Sequence, residues 1–180
     1  YGGRLSSVID IRMKEGNNQK FHGEGGIGLI ASRLTLEGPL QKGKSSFMIS
    51  GRRTYADIFL RPIVRKQNNG DLDVGYFFYD LNAKANIYLG KNDHLYLSGY
   101  FGNDKFDSYE YSSYATSQDT YRNGIQWGNA TGVVRWNHEF NRKLFGNATI
   151  NYTRYRFDLF SEEKWIDAST TELSAQRYFS

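Results

Sequence analysis

The most regular pattern in this chain is an alternation of apolar and polar residues over positions 76–106, interrupted by a turn sequence at 90–93. A period of two places successive side chains on opposite faces of a β-strand. The sequence therefore predicts two strands joined by a tight turn, each with one apolar and one polar face. The first strand keeps its alternation over positions 77–89, which exceeds the about 5–6 residues of an average globular strand.

The polar face of this predicted hairpin is suited to water and not to burial under a second sheet. It carries Asp80, Asn82, Lys84 and Asn86, whereas the strands of a β-sandwich are buried on their inner faces. Long strands with one apolar and one wet face, joined by tight turns at one end, are typical of outer-membrane barrels. We therefore predict an all-β fold, an antiparallel transmembrane β-barrel located in the cell outer membrane.

The rest of the chain repeats this pattern and predicts about eight strands, the last of them incomplete. Short turns are predicted at one end of the strands, at 41–44, 90–93 and 141–143. Longer loops are predicted at the other end, at 56–73, 104–123 and 161–169. This asymmetry is usual for outer-membrane barrels; the first hairpin, which turns near 29–31, is the exception. We expect no helix, and we expect bulges near Trp127 and Tyr155, where the alternation slips.

Composition and charge exclude several other classes of protein. Hydrophobic residues make up 39% of the 180 residues, below the about 45–50% of average globular chains. No apolar run approaches the about 18–20 residues that a membrane-spanning helix needs. The 23 basic and 19 acidic residues leave a net charge of +4, which is too small to indicate a nucleic-acid partner.

Side chains with catalytic or metal-binding chemistry are few. Cysteine is absent, which excludes disulfides and thiolate metal sites. His22, His94 and His138 are not at metal-ligand spacing, so we predict no metal site and no cofactor. The glycine-rich run 23–28 lacks the Gly-Lys-Ser/Thr ending of a phosphate-binding loop, and no Gly-x-Ser-x-Gly sequence positions a nucleophile. We therefore expect no enzymatic activity.

The start of the chain resembles a known family. Residues 1–11 read Tyr-Gly-Gly-Arg-Leu-Ser-Ser-Val-Ile-Asp-Ile and resemble the end of the plug domain in TonB-dependent outer-membrane transporters. Later stretches are similar to barrel strands of Bacteroidetes members of that family, at 26–34, 37–40, 50–55 and 100–106. The resemblance implies a barrel of about 22 strands with a plugged lumen. Residues 1–18 are then the C-terminal end of the plug domain, and residues 19–180 are the first eight or so barrel strands.

The function that the resemblance implies is active transport of a scarce nutrient across a Gram-negative outer membrane. TonB, coupled to the inner-membrane proton gradient, displaces the plug through a segment that is not in this chain. Because the chain opens on Tyr1 without a signal peptide, we expect a piece of a longer polypeptide. Two alternatives remain, a barrel subunit of a larger surface or export assembly and a soluble β-sheet domain that binds glycans. The cargo, a surface lipoprotein partner and the oligomeric state are left open.

Two sets of candidate residues follow from the resemblance and from the predicted outer end of the barrel. Arg4 lies in the implied plug and faces a wall that offers Glu24 and Glu37, so a plug–barrel ion pair is one reading and a solvated arginine the other. A basic run is expected to contact lipopolysaccharide phosphates, or secondly an anionic substrate, through Arg52, Arg53, Arg61, Arg65 and Lys66.

A third set lies in the predicted loop 104–123. Tyrosine offers a flat apolar ring with a hydrogen-bonding tip, which suits sugars, chelates or a protein partner. The candidate ligand-binding residues are Tyr109, Tyr111, Tyr114, Tyr121 and Arg122. The alternative is an aromatic rim at the outer membrane interface, which barrels show routinely.

Overall fold

The computed structural model describes residues 13–113, 117–167 and 172–179. The elements are β1 (His22–Ile27), β2 (Ala31–Gln41), β3 (Ser45–Thr54), α1 (Ala56–Gln67), β4 (Leu72–Tyr88), β5 (Asp93–Ser113), β6 (Ser117–Asn141), β7 (Leu144–Asp167) and β8 (Glu172–Phe179). The eight strands form one antiparallel sheet in sequence order, which is open, with β1 and β8 at its edges. The predicted all-β antiparallel class and the strand number are confirmed for the described part of the chain.

The strands lengthen along the chain, and this overturns two of the predicted loops. Strands β5, β6 and β7 have 21, 25 and 24 residues. The prediction of loops at 104–123 and 161–169 is therefore wrong, because β5 continues to Ser113, β6 begins at Ser117 and β7 ends at Asp167. Tyrosine and threonine favour strands, and these extensions carry polar residues on both faces, so they lack the alternation that predicted the other strands.

The predicted loop at 56–73 is also wrong, together with the expectation that the chain has no helix. Helix α1 occupies most of it and contains Pro62 in its interior. It ends in a turn in which Asn69 and Gly70 adopt positive φ angles of 51° and 93°, and the chain then returns into β4. Within the described part of the chain, no helix is long and apolar enough to cross a membrane.

The tight turns and the register follow the prediction more closely. The three predicted short turns are confirmed, and so is the tight first hairpin, in which Gly28 donates its N–H to the Ala31 carbonyl. The two expected bulges are misplaced, because the register runs without interruption through Trp127 and Tyr155. The register shifts lie beside turns instead, between Pro39 and Gln41 and between Glu139 and Asn141.

Candidate functional site

The register divides the sheet into rows of paired residues, and alternate residues of each strand lie on two faces. Three adjacent rows on one face contain no charged residue and form what we call the apolar band. The band consists of Leu36, Ile49, Ala83, Gly99, Gly132 and Tyr152, then Gly38, Phe47, Ala85, Leu97, Val134 and Ile150, then Ile87, Leu95, Trp136 and Ala148. We name this side of the sheet the band face and the other side the reverse face. The end with the three tight turns is the turn end, and the end with α1 is the helix end.

No helix and no second sheet packs over the apolar band among the described residues, and the exposed Phe21 ring lies against Gly38 and Phe47 at its edge. Ile150 is 74% exposed, and Leu36 and Val134 are close to half exposed. Met48, on the reverse face, is the one buried hydrophobic side chain in the described part of the chain. The chain exposes 13428 Å² of surface, whereas a compact monomer of 20.7 kDa exposes about 8,900 Å². A contiguous exposed apolar patch of this kind is typical of surfaces that contact a lipid or another protein.

The reverse face at the height of the band is polar, and the N-terminal segment 13–20 lies on it. Lys84 donates to the Met13 carbonyl at 2.9 Å and lies 3.8 Å from the Glu15 carboxylate. Asn86 donates to Glu15 at 3.2 Å. A side chain at Gly16 would overlap the backbone of β3, because an added Cβ would lie 2.0 Å from the Phe47 carbonyl oxygen. The segment therefore approaches the sheet at backbone distance, as the glycine permits.

Of the three predicted plug–barrel residues, Glu37 contacts this segment. Its carboxylate is buried and lies 3.4 Å from Lys14 Nζ and 3.6 Å from His22 Nδ1. Glu24 accepts instead from Arg33 at 2.8 Å, and both side chains are exposed. Arg4 lies outside the described residues, so its pairing with Glu24 or Glu37 stays a prediction.

At the helix end the band face changes from apolar to charged. Asp73 and Asp107 are 2% and 3% exposed and project from β4 and β5 beneath α1. Arg61 of the helix donates to Asp73 at 2.9 Å and to Asp107 at 2.6 Å, and Arg65 lies 2.6 Å from Asp73. Two buried carboxylates are thus matched by two guanidinium groups, as buried charges require. We call these four side chains the arginine–aspartate cluster.

The cluster depends on a glycine and on the charge of Arg61. An added Cβ at Gly75 would lie 2.3 Å from the Arg61 guanidinium, so a side chain there would displace Arg61. Burial opposes the charged form of Arg61, but the hydrogen bonds and charges of Asp107 and Asp73 outweigh it and raise the pKa above its usual value. The guanidinium therefore stays charged and holds α1 against the sheet.

The candidate ligand-binding residues are divided between the two faces. Arg122 and Tyr109 are paired on the band face, where the Arg122 guanidinium lies 5.3 Å from the Tyr109 ring and 3.4 Å from Glu162. The rings of Tyr109 and Tyr111 stack with centroids 6.4 Å apart. Tyr121 pairs with Glu110 and lies on the reverse face, and Tyr114 lies outside the described residues.

The five basic candidates do not form one surface either. Arg52 lies on the reverse face, where it binds Asp80 at 2.7 Å and covers the Phe78 ring. Arg53 lies on the band face over the Phe77 ring, and Lys66 is exposed near the end of α1. Arg61 and Arg65 belong to the arginine–aspartate cluster.

Sequence reasoning missed an aromatic surface on the reverse face at the helix end. Beyond the height of the band, apolar side chains move to the reverse face, and this change of side is the slip in alternation near Trp127. The surface consists of Tyr76, Phe78, Phe106, Ile125, Trp127, Phe157 and Leu159, in two adjacent rows. Tyr76 donates to Asp104 at 3.0 Å within it. The signal was present in the sequence as a change of phase, but it resembled a bulge.

No metal-binding group of three or more histidine or acidic side chains occurs among the described residues. A scan against protein-family models and searches of the curated proteins and of the solved structures find no match to this chain. The geometry of the two faces therefore carries the functional argument.

Proposed function

We propose that this chain forms part of the wall of a TonB-dependent transporter in a bacterial outer membrane. In this proposal the band face meets lipid, the reverse face lines the lumen, and segment 13–20 is the end of a plug. The chain performs transport and catalyses no covalent reaction. Its partners are outer-membrane lipid, lipopolysaccharide and TonB, which acts on a segment outside this chain.

The observation that carries the proposal is the exposed apolar band on strands that are polar on the opposite face. On β4 the apolar run of the band face extends from Leu81 to the exposed Leu89 at the turn, and its rows at Ala83, Ala85 and Ile87 are free of charge across the sheet. On this strand the run agrees in length with the about 9–11 residues of a tilted strand that cross the hydrocarbon layer of a bilayer. A soluble sheet would expose the same side chains to water, at a cost of about 25 cal/mol per Å².

Transport, as opposed to a passive structural role, is favoured by the contacts of segment 13–20. They consist of polar contacts at the height of the band, among them Lys84 with Met13 and Lys14 with Glu37. Polar contacts of partly exposed groups are individually weak, so such a segment can be displaced by force without unfolding the wall. The barrel subunit of an export assembly would not need a displaceable segment there.

Cargo contact is assigned in this proposal to the aromatic surface of the reverse face. Its rows reach the helix end, beyond the polar contacts with segment 13–20, and therefore line the entrance to the lumen. Trp127 and Phe157 are paired across β6 and β7, and Tyr121 lies two rows beyond Ile125 on the same face. Aromatic rings suit ligands with flat apolar surfaces, such as sugar rings or aromatic chelates.

The test is energy-dependent uptake by cells with and without the gene for this chain. Iron chelates, cobalamin, oligosaccharides and peptides are offered as labelled cargo, with and without a protonophore. We expect one cargo class to accumulate in the wild type, and to fall to the passive level in the deletion strain and after the protonophore. If no cargo class responds, and the protein purifies in a stable multiprotein complex, the transporter is replaced by the assembly subunit.

A further inference from the structure

The turn end of the sheet contains a cleft between two neighbouring turns, which we call the turn-end cleft. Strands β5 and β6 are paired up to Asp93 and His138, and the Glu139 N–H donates to the Asn92 carbonyl at 2.9 Å. This pairing holds the turns at 90–93 and 141–143 side by side. The cleft between them has a volume of about 590 Å³, which is within the usual range of pockets that bind small molecules.

Both turns contribute basic side chains to the turn-end cleft. Lys91 comes from the turn at 90–93, and Arg142 and Lys143 come from the turn at 141–143; all three line the cleft and are exposed. No carboxylate of the described residues forms an ion pair with any of them. A cleft lined by charges of one sign focuses the electric field and raises the local concentration of counter-ions. The turn-end cleft is therefore suited to a negatively charged ligand.

Two carboxylates also line the cleft, but they do not neutralise these three cations. Asp93 lies 2.7 Å from His138 Nδ1 and accepts from Trp136 Nε1 at 2.9 Å, so its charge is already matched. Glu139 is exposed and forms no ion pair among the described residues. The cleft therefore keeps an excess of positive charge.

The floor of the cleft adds an aromatic ring and polar groups without partners. Tyr88, His94 and Asn137 are paired in one row of the reverse face, and all three line the cleft. Asn137 Oδ1 and His94 Nε2 are buried and have no hydrogen-bond partner among the described residues, although buried polar atoms usually have one. The Asn137 oxygen accepts hydrogen bonds only, so a ligand hydroxyl would supply the donor that it lacks.

We propose that the turn-end cleft binds a soluble phosphate ester, such as a glycerol phosphate or a sugar phosphate. A phosphate carries up to two negative charges and several acceptor oxygens. The Arg142 guanidinium can bind two of these oxygens at once, and Lys91 and Lys143 act as point charges beside it. The hydroxyls next to the phosphate lie against the floor, where Asn137 accepts.

The position of the cleft favours a soluble ester over the headgroup of a lipid. Its floor belongs to the reverse face, so a lipid held there would place its acyl chains along polar residues and away from the apolar band. The inference does not rest on the proposed function, because the cations and the floor are the same whichever surface of the sheet meets lipid.

The test is isothermal titration calorimetry of the full-length polypeptide that contains this chain, in a non-ionic detergent, with glycerol phosphate as the probe. Glycerate is the matched ligand, because it has the same two hydroxyls beside a single carboxylate charge. Lys91→Gln and Arg142→Gln each remove one cation, from different turns. Lys42→Gln is the matched control, because Lys42 is exposed in the turn at 41–44 and does not line the cleft.

We expect the wild type and Lys42→Gln to bind glycerol phosphate saturably and with equal affinity. Each cleft variant should bind about tenfold more weakly or less, the effect of losing one charge-assisted hydrogen bond. Glycerate should bind the wild type several-fold more weakly than glycerol phosphate. Absence of saturable binding would overturn the site, and so would unchanged affinity in either cleft variant or an equal loss in Lys42→Gln.

Two further outcomes decide the nature of the ligand. Equal affinity for glycerate would overturn the phosphate group as the feature that the cleft recognises. A short-chain phosphatidylglycerol that binds where glycerol phosphate does not would overturn the soluble ester, because the ligand would then be a lipid headgroup.

Discussion

The two ends of the band face place opposite chemistry on the same strands. Near the turn end, β4 and β5 present Ala85 and Leu97 in a row without charges. Near the helix end, the same two strands present Asp73 and Asp107, both buried under Arg61. Strand alternation is continuous between these two regions, so the change is not one of secondary structure.

The two regions differ in what stabilises their side chains. At the band, exposed apolar side chains are stabilised only by an apolar environment outside the sheet. At the cluster, the buried carboxylates are stabilised by guanidinium groups of the same chain. The reverse face changes in the opposite sense, from the polar contacts of segment 13–20 to the aromatic surface around Trp127. Both faces therefore change polarity between the turn end and the helix end. In the proposed orientation, the change on the band face marks the end of its contact with lipid.

The largest effect is expected when a charge is placed in the band. In the proposed orientation the cation of Val134→Arg lies in the hydrocarbon layer, so the substitution should lower the free energy of unfolding in vesicles by about 2–4 kcal/mol. Urea titration followed by tryptophan fluorescence measures this. Gln126→Arg is the matched control on the band face of the same strand beyond the band, where the expected loss is about 0–1 kcal/mol. Equal losses at the two positions would contradict the distinction between the two regions.

The second prediction removes a charge from the arginine–aspartate cluster. Arg61→Met leaves Asp107 without its guanidinium, and we expect a loss of about 1–3 kcal/mol, the cost of an unsatisfied buried group. The loss stays below that of a fully buried pair, because Arg61 is 32% exposed and Arg65 still holds Asp73. Urea titration again gives the value.

The double variant Arg61→Met with Asp107→Asn separates charge from packing. If the unpaired carboxylate causes the loss, the second substitution restores part of the stability, which a double-mutant cycle quantifies. Arg65→Met is the comparison within the cluster, and its loss should be smaller because Arg65 is 56% exposed. An additive double variant would show that the cluster is not a coupled unit.

The sequence was sufficient to predict the secondary structure of the band region and insufficient to predict that of the cluster region. Over 77–89 the apolar period is unbroken and the turn residues that follow are explicit, so strands, turn and face were predictable. Helix α1 was missed because its apolar residues show weak periodicity and because Pro62, a residue that usually ends a helix, lies in its interior. The spacing of Asp57, Arg61 and Arg65 by four residues was the available signal.

The pairings of the candidate residues could not be predicted from the sequence. Glu37 was expected to face Arg4, and its described partner is Lys14, 23 positions away in the sequence. Arg52 and Arg53 are neighbours in the sequence and lie on opposite faces, so a basic run does not make a basic surface. Long-range register decides such pairings, and no local pattern encodes it.

A third prediction concerns the reverse face opposite the band, where Lys84 contacts segment 13–20. Lys84→Met removes the hydrogen bond to the Met13 carbonyl and the attraction to Glu15. We expect a loss of about 1–2 kcal/mol, toward the lower end for a hydrogen bond to a charged group, because the Glu15 side chain is 53% exposed. Amide hydrogen exchange in segment 13–20 should therefore accelerate by about 5–30-fold. Lys42→Met, in the exposed turn after β2, is the control and should leave the exchange unchanged. Unchanged exchange in Lys84→Met would mean that other contacts hold the segment.

The smallest effect concerns the border of the band at the turn end, where Asp93 accepts from Trp136 Nε1 at 2.9 Å and lies 2.7 Å from His138 Nδ1. The hydrogen bond with His138 lowers the pKa of Asp93, burial partly opposes this, and the bond from Trp136 adds to it. Since the pKa is lower in the folded state, the stabilisation is complete above the usual aspartate value of about 3.9 and is lost as the pH falls through the lowered value.

The indole N–H resonance of Trp136, assigned with Trp136→Phe, should report this titration below about pH 4. In Asp93→Asn the amide oxygen still accepts the indole proton but carries no charge, so the pH dependence should disappear while the resonance stays shifted. A midpoint at or above the usual aspartate value would contradict the assignment. The border of the band would then depend on the Trp136 ring alone, and Asp93 would have no part in fixing where the apolar region ends.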